Sequence, residues 1–214
     1  MARPRLSLKA RQIIKRIRGE LKAYGIRLRF HKGCTIKADG DDCSGYFDPV
    51  KLVLALANKD DEAKFMAVLY HEHIHFQQWL AFVLGRRNKL ARAWRRSLET
   101  DAMGAKGLSR SERYEAYRAL LELERQAEVG AIRHLEEAEI GTIEDRERLA
   151  KEAAIYLYCH RLMYEKRRWF KEGALPLAEW LNDPEIWREC PSKLRGINFN
   201  RIPPKLKKLL LRLF

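Results

Sequence analysis

The sequence predicts an α+β protein, mainly helical, with a small and mostly antiparallel N-terminal sheet. Three observations carry that prediction. Short apolar runs between residues 26 and 57 are punctuated by Gly33, Asp39-Gly40 and Asp48-Pro49, as strands are by turns. After Asn58 the apolar residues recur at helical spacing in four long segments. At 214 residues and 46% hydrophobic content, the chain can bury one substantial core.

The first helix is expected over 7–24, where Leu8, Ile13, Ile14, Ile17 and Leu21 form an apolar stripe that Gly25 ends. The sheet then occupies 26–57, with strands near 26–30, 34–37, 45–47 and 51–57. Asp60 and Asp61 offer N-cap chemistry for a helix over 60–84, stopped at Gly85. A second long helix follows over 88–107, and a third runs from Ser109 or Ser111 to just before Gly141. Thr142, with Asp145 three residues on, opens a fourth that reaches about residue 172. Pro176, Pro184, Pro191 and Pro203-Pro204 then break the chain into one or two short helices. The expected organisation is one domain over 1–172 and an irregular basic extension over 173–214.

The net charge of +14 is concentrated at the two ends. Residues 1–33 hold eleven Lys or Arg and the single acid Glu20, for +10; residues 193–214 hold seven basic residues and no acid, for +7. The middle is left at −3, so nucleic acid is the expected partner of the basic ends. Nothing approaches the roughly 20 apolar residues of a membrane span, and the basic start lacks a leader's apolar core. The compartments this allows are the cytoplasm and a virus particle. Cys34, Cys43, Cys159 and Cys190 show no CxxC spacing and are expected as reduced thiols, with Cys34 and Cys43 the one cross-strand pairing to consider.

The chemistry lies in His71-Glu72-His73-Ile74-His75, within an otherwise apolar helix. Residues four apart share a helix face, so His71 and His75 can bind one metal ion from a single turn. Glu72, about 100° round, reaches a water on that metal without being a ligand. Zinc brings the pKa of such a water towards 7, and Glu72 is the base that takes its proton. His73 points the other way, and Gln78 shares the His71/His75 face. A catalytic zinc usually takes three protein ligands. Tyr117, Leu121, Glu124, Glu128, Ala131 and Leu135 form one stripe, so Glu124 is the expected third ligand. Glu128, one turn on, is placed to hold the far nitrogen of a histidine. Glu99 is the competing ligand, although it sits beside its helix's apolar stripe among Arg92, Arg95 and Arg96.

These residues resemble the gluzincin branch of the zincin metallopeptidases. The resemblance covers about residues 26–140. It rests on Gly45-Tyr46-Phe47-Asp48, the strand LVLALA and the helix with HEHIH, and on Glu124-Arg125-Gln126-Ala127-Glu128, which is similar to an ExxA[DE] signature. The spacing from His71 to Gln78 looks like the HExxHxxQ form of small bacterial and phage zincins. It implies a zincin-like domain, one Zn2+ per chain, a protein or peptide substrate, and substrate held along an edge strand that precedes the helix. An oxyanion partner is also implied, and Tyr156, His160 and Tyr164, on one face of the fourth helix, are its candidates. The expected activity is therefore hydrolysis of peptide bonds. The alternative is a nucleic-acid- or particle-associated structural protein on the same scaffold, which would have no use for Glu72 as a base.

Overall fold

The structure is a computed structural model that describes residues 6–38, 41–58, 61–88, 90–92, 94–95, 109–166, 183–194, 197–199 and 201–213. The chain divides into two compact units, Met1–Thr142 and Ile143–Phe214. The boundary expected at 172/173 lies outside the described residues.

In the first unit, helix α1 (Leu8–Ala23) begins where the Ser7 hydroxyl accepts a bond from the Ala10 amide. It buries Ala10, Ile14, Ile17 and Leu21, while Leu8, expected on the apolar stripe, is 66% exposed. Gly25, at φ 74°, ends the helix in the left-handed conformation that glycine adopts without strain. Strands β1 (Arg27–His31), β4 (Gly45–Asp48) and β5 (Val53–Ala57) form one sheet in the order β1-β5-β4; β2 (Ile36–Ala38) and β3 (Asp41–Cys43) form a separate antiparallel pair.

The three-stranded sheet is mixed. β1 pairs with β5 in parallel, Arg27 opposite Val53, and β4 pairs with β5 antiparallel, Gly45 opposite Leu56. Position explains the strand patterns: β5, flanked on both sides, is buried at all five residues, as a central strand must be. β3 was not legible, because Asp41-Asp42-Cys43 carries no apolar alternation. Ile36, and not Cys34, stands opposite Cys43, and none of the four cysteines is in a disulfide.

Helix α2 (Glu62–Val83) is capped by the Asp61 carboxylate on the Lys64 amide and ends before Gly85, at φ 66°. Residues 90–92 and 94–95 are helical, and the rest of the helix expected over 88–107 is largely outside the described residues. Helix α3 (Arg110–Glu137) packs along α2. Its Gly130 permits the close approach, since a Cβ there would come within 2.5 Å of Ile74 Cδ1. β4 also sits tightly on α2, because a Cβ on Gly45 would meet Val68 Cγ1 at 2.7 Å.

The second unit holds α4 (Ile143–Lys166), α5 (Pro184–Glu189), α6 (Pro204–Leu210) and a closing 3₁₀ turn (Leu211–Leu213). Its core includes Ala154, Ile155, Leu157, Tyr158 and Leu162 of α4 and Leu206, Leu209 and Leu210 of α6. Over Pro204–Leu210 the basic tail is thus helical, with Leu206, Leu209 and Leu210 turned inward. Among the described residues no helix is long and apolar enough to cross a membrane.

Candidate metal centre

Helical periodicity puts His71 and His75 one turn apart on α2, and their rings meet nearly edge to face at 4.7 Å. Glu124 of α3 lies against both, its carboxylate oxygens 3.4 Å from His71 Nε2 and 3.6 Å from His75 Nε2. The side chains are 14, 11 and 13% exposed, so the cluster is largely removed from water. One ligand atom from each of the three residues can be chosen so that all lie within 4.8 Å of one another. The stripe that carries Glu124 is buried at Tyr117, Leu121, Ala131 and Leu135, which fixes the helix face turned to the histidines.

Hydrogen bonds set the tautomer of each ring. The Gln78 amide nitrogen donates to the Leu123 carbonyl at 3.1 Å, so its oxygen faces His75 Nδ1 at 2.8 Å. An amide oxygen only accepts, so His75 Nδ1 must carry the hydrogen. His71 Nδ1 faces the Glu128 carboxylate at 3.2 Å and donates likewise. In the neutral rings both Nε2 atoms therefore carry lone pairs, and they face each other at 3.0 Å beside an anionic carboxylate. Such an arrangement is repulsive unless a cation lies between them. A tetrahedral zinc with bonds of about 2.0–2.1 Å holds its ligand atoms about 3.3–3.4 Å apart. The two Nε2 atoms at 3.0 Å lie near that spacing, and Glu124 turns a different oxygen to each ring, Oε2 to His71 at 3.4 Å and Oε1 to His75 at 3.6 Å.

The electrostatics agree with the geometry. Burial works against a charged His71, yet the Glu128 and Glu124 carboxylates hold its pKa well above the ordinary imidazole value. His75 is raised in the same way, burial being outweighed by Glu124. Burial would raise Glu124, but the two imidazoles hold its carboxyl well below the ordinary value. Glu72, only 7% exposed, is pushed up by burial. Three carboxylates and two imidazoles enclosed together need positive charge, supplied either by protons or by a metal ion.

Other site residues fall as follows. His73 points away from the cluster and meets Glu20 of α1 at 3.0 Å, a bond that lowers the Glu20 pKa. That tie had one sequence signal, the lone acid among eleven basic residues. Gln126, within 3.3 Å of the Gln78 amide nitrogen, had none, because it lies off the Glu124 stripe. Glu99 lies outside the described residues. Tyr156 and His160 belong to the second unit, where their rings meet edge to face at 4.5 Å, and the side chain of Tyr164 lies outside the described residues.

Two of the strands in the resemblance, β4 and β5, precede α2, and of these only β4 is an edge of its sheet. β5, which precedes α2, is the central strand, with both of its edges already paired. The edge strand beside the helix is β4. Gly45 lies over Val68, and Phe47 packs on Phe76 and Trp79 at ring distances of 5.9 and 5.8 Å. Val68, Glu72, His75 and Trp79 succeed one another at helical spacing, so β4 runs beside the face that carries Glu72 and His75. Compared with known proteins, the chain matches no family model, no curated protein and no solved structure.

Proposed function

We propose that this chain is a zinc-dependent peptidase of the zincin kind, hydrolysing peptide bonds with Glu72 as general base. The observation that carries the reading is the convergence of two imidazole lone pairs and the Glu124 carboxylate on one point, with Glu72 next to His71 on the same helix. His71, His75 and Glu124 would hold the ion, a His2Glu set that leaves a fourth position for water or substrate. When bound, zinc supplies a Lewis acid that polarises a carbonyl and acidifies water.

The chain's own residues do the rest. Glu128 and Gln78 fix both rings with Nε2 turned inward. Glu72, with its carboxyl raised by burial, accepts a proton from the attacking water on a side-chain oxygen and passes it to the leaving amine. Among the described residues β4 has no strand on its outer side, and that edge is the support for an extended peptide substrate. A purely structural role gives no reason to bury a carboxyl beside two histidines.

The test is metal analysis run beside hydrolysis of a quenched-fluorescence peptide library. Wild type should carry about one zinc per chain. Glu72→Gln should keep the zinc and lose activity by about 10²–10⁴-fold. Full activity in Glu72→Gln, or a wild type that binds no zinc, would sink the proposal.

A further inference from the structure

The two basic ends of the sequence are not equivalent once folded. In the second unit, Lys205, Lys207 and Arg212 are paired with Glu189, Glu165 and Glu185, so three of the tail's seven cations are answered locally. In the first unit the opposite holds. Arg11, Lys15, Arg18 and Lys22 succeed one another at i, i+4, i+7 and i+11 along the solvent side of α1, and all four are exposed. They span roughly 16 Å of helix axis. Arg27 and Arg29, exposed on β1, carry the charge onto the adjoining strand. Phe30, 43% exposed, links the two elements, with the Arg18 guanidinium 5.6 Å from its ring centroid.

Among the described residues none of these six cations forms an ion pair. Arg27 donates only to the Lys51 carbonyl, which leaves its charge uncancelled. Of the acids near α1 among the described residues, Glu20 is occupied with His73, Glu139 with Lys9 and Glu62 with the Ser7 amide. Six cations without an ion pair, four along α1 and two on the adjoining edge strand, attract a polyanion.

We infer that the outer face of α1 together with β1 is a docking surface for nucleic acid, held through its phosphates, and that the basic tail is not. A membrane is the weaker occupant on physical grounds. A helix that lies in a bilayer surface needs its apolar face free, whereas α1 spends Ala10, Ile14, Ile17 and Leu21 on the protein core. Phosphate contacts need only accessible Lys and Arg at intervals along a surface, which α1 and β1 provide. This surface is independent of the metal cluster and stands whether or not the chain is a peptidase.

Fluorescence anisotropy of a labelled DNA oligonucleotide, single-stranded and as a duplex, tests the assignment with the full chain across a salt titration. The variant Arg11→Gln/Lys15→Gln/Arg18→Gln/Lys22→Gln should bind at least about tenfold more weakly, with a flatter dependence of log K on log salt. Arg27→Gln/Arg29→Gln changes a different element and should act in the same direction, which keeps the test valid if the helix variant is misfolded by circular dichroism. Lys205→Gln/Lys207→Gln/Arg212→Gln should bind like wild type. Binding lost only in the tail variant, or unchanged in both surface variants, overturns the assignment. So does a wild type that binds phosphatidylserine vesicles and ignores both oligonucleotides.

Discussion

Gln78 is fully buried and spends both ends of its amide, the oxygen on His75 Nδ1 and the nitrogen on Leu123 O and Gln126. It therefore acts on the proposed metal through another residue, holding one ring in a single tautomer and orientation. Gln78→Leu keeps much of the volume but leaves His75 Nδ1 without its acceptor. Zinc affinity, measured by competition with a chromophoric chelator, should fall about 10–100-fold. Glu124→Ala should weaken it further, since it removes an anion that both rings face, whereas Glu99→Ala should leave it close to wild type. A larger loss from Glu99→Ala than from Glu124→Ala would reassign the third ligand while leaving His71 and His75 in place.

At the scale of the element, the site depends on how closely α3 lies against α2, and Gly130 sets that distance. Alanine there gains helix propensity but brings its methyl group into the space of Ile74 Cδ1, which is buried between the same two helices. The overpacking outweighs the gain, so Gly130→Ala should be less stable by about 1–2 kcal/mol in urea unfolding. Ile74→Val removes the Cδ1 atom and should restore most of that loss in the double variant. Equal costs for Gly130→Ala in both backgrounds would mean that the contact does not limit the helix spacing.

For the whole molecule, the two compact units carry separate properties. The proposed donor set, His71, His75 and Glu124, lies in Met1–Thr142, as does the basic face of α1 and β1, while the partly compensated tail lies in Ile143–Phe214. Metal binding stabilises the state that holds it. Removing zinc with a chelator should therefore speed amide hydrogen exchange in α2 and α3 while leaving α6 at its original rate, as read by mass spectrometry. Uniform acceleration over both units would show that they unfold as one cooperative body.

Whatever depends on neighbours a few residues away was readable in the sequence. The spacing of His71, Glu72 and His75 fixes their places around α2, because the helix repeat is a local property. Gly25 and Gly85, at φ 74° and 66°, mark helix ends for the same reason, as do Ser7 and Asp61 at helix starts, whereas α3 closes on Glu139, at φ 50°, two residues before Gly141. Even Glu124 was legible, as an acid on an apolar stripe and so as the expected partner of the two histidines. Contacts between distant segments were decided by tertiary structure alone. The parallel pairing of β1 with β5 makes β5 central and leaves β4 as the edge beside α2. The joining of Gln78 to Gln126 and of His73 to Glu20 depends on which helix faces meet. Charge follows the same division: the sequence counts +10 and +7 at its ends, but only folding brings Glu165, Glu185 and Glu189 to the tail and leaves α1 and β1 unanswered. The physical reason is that periodicity is set by backbone geometry within one element, whereas pairing and charge compensation depend on elements brought together across the chain.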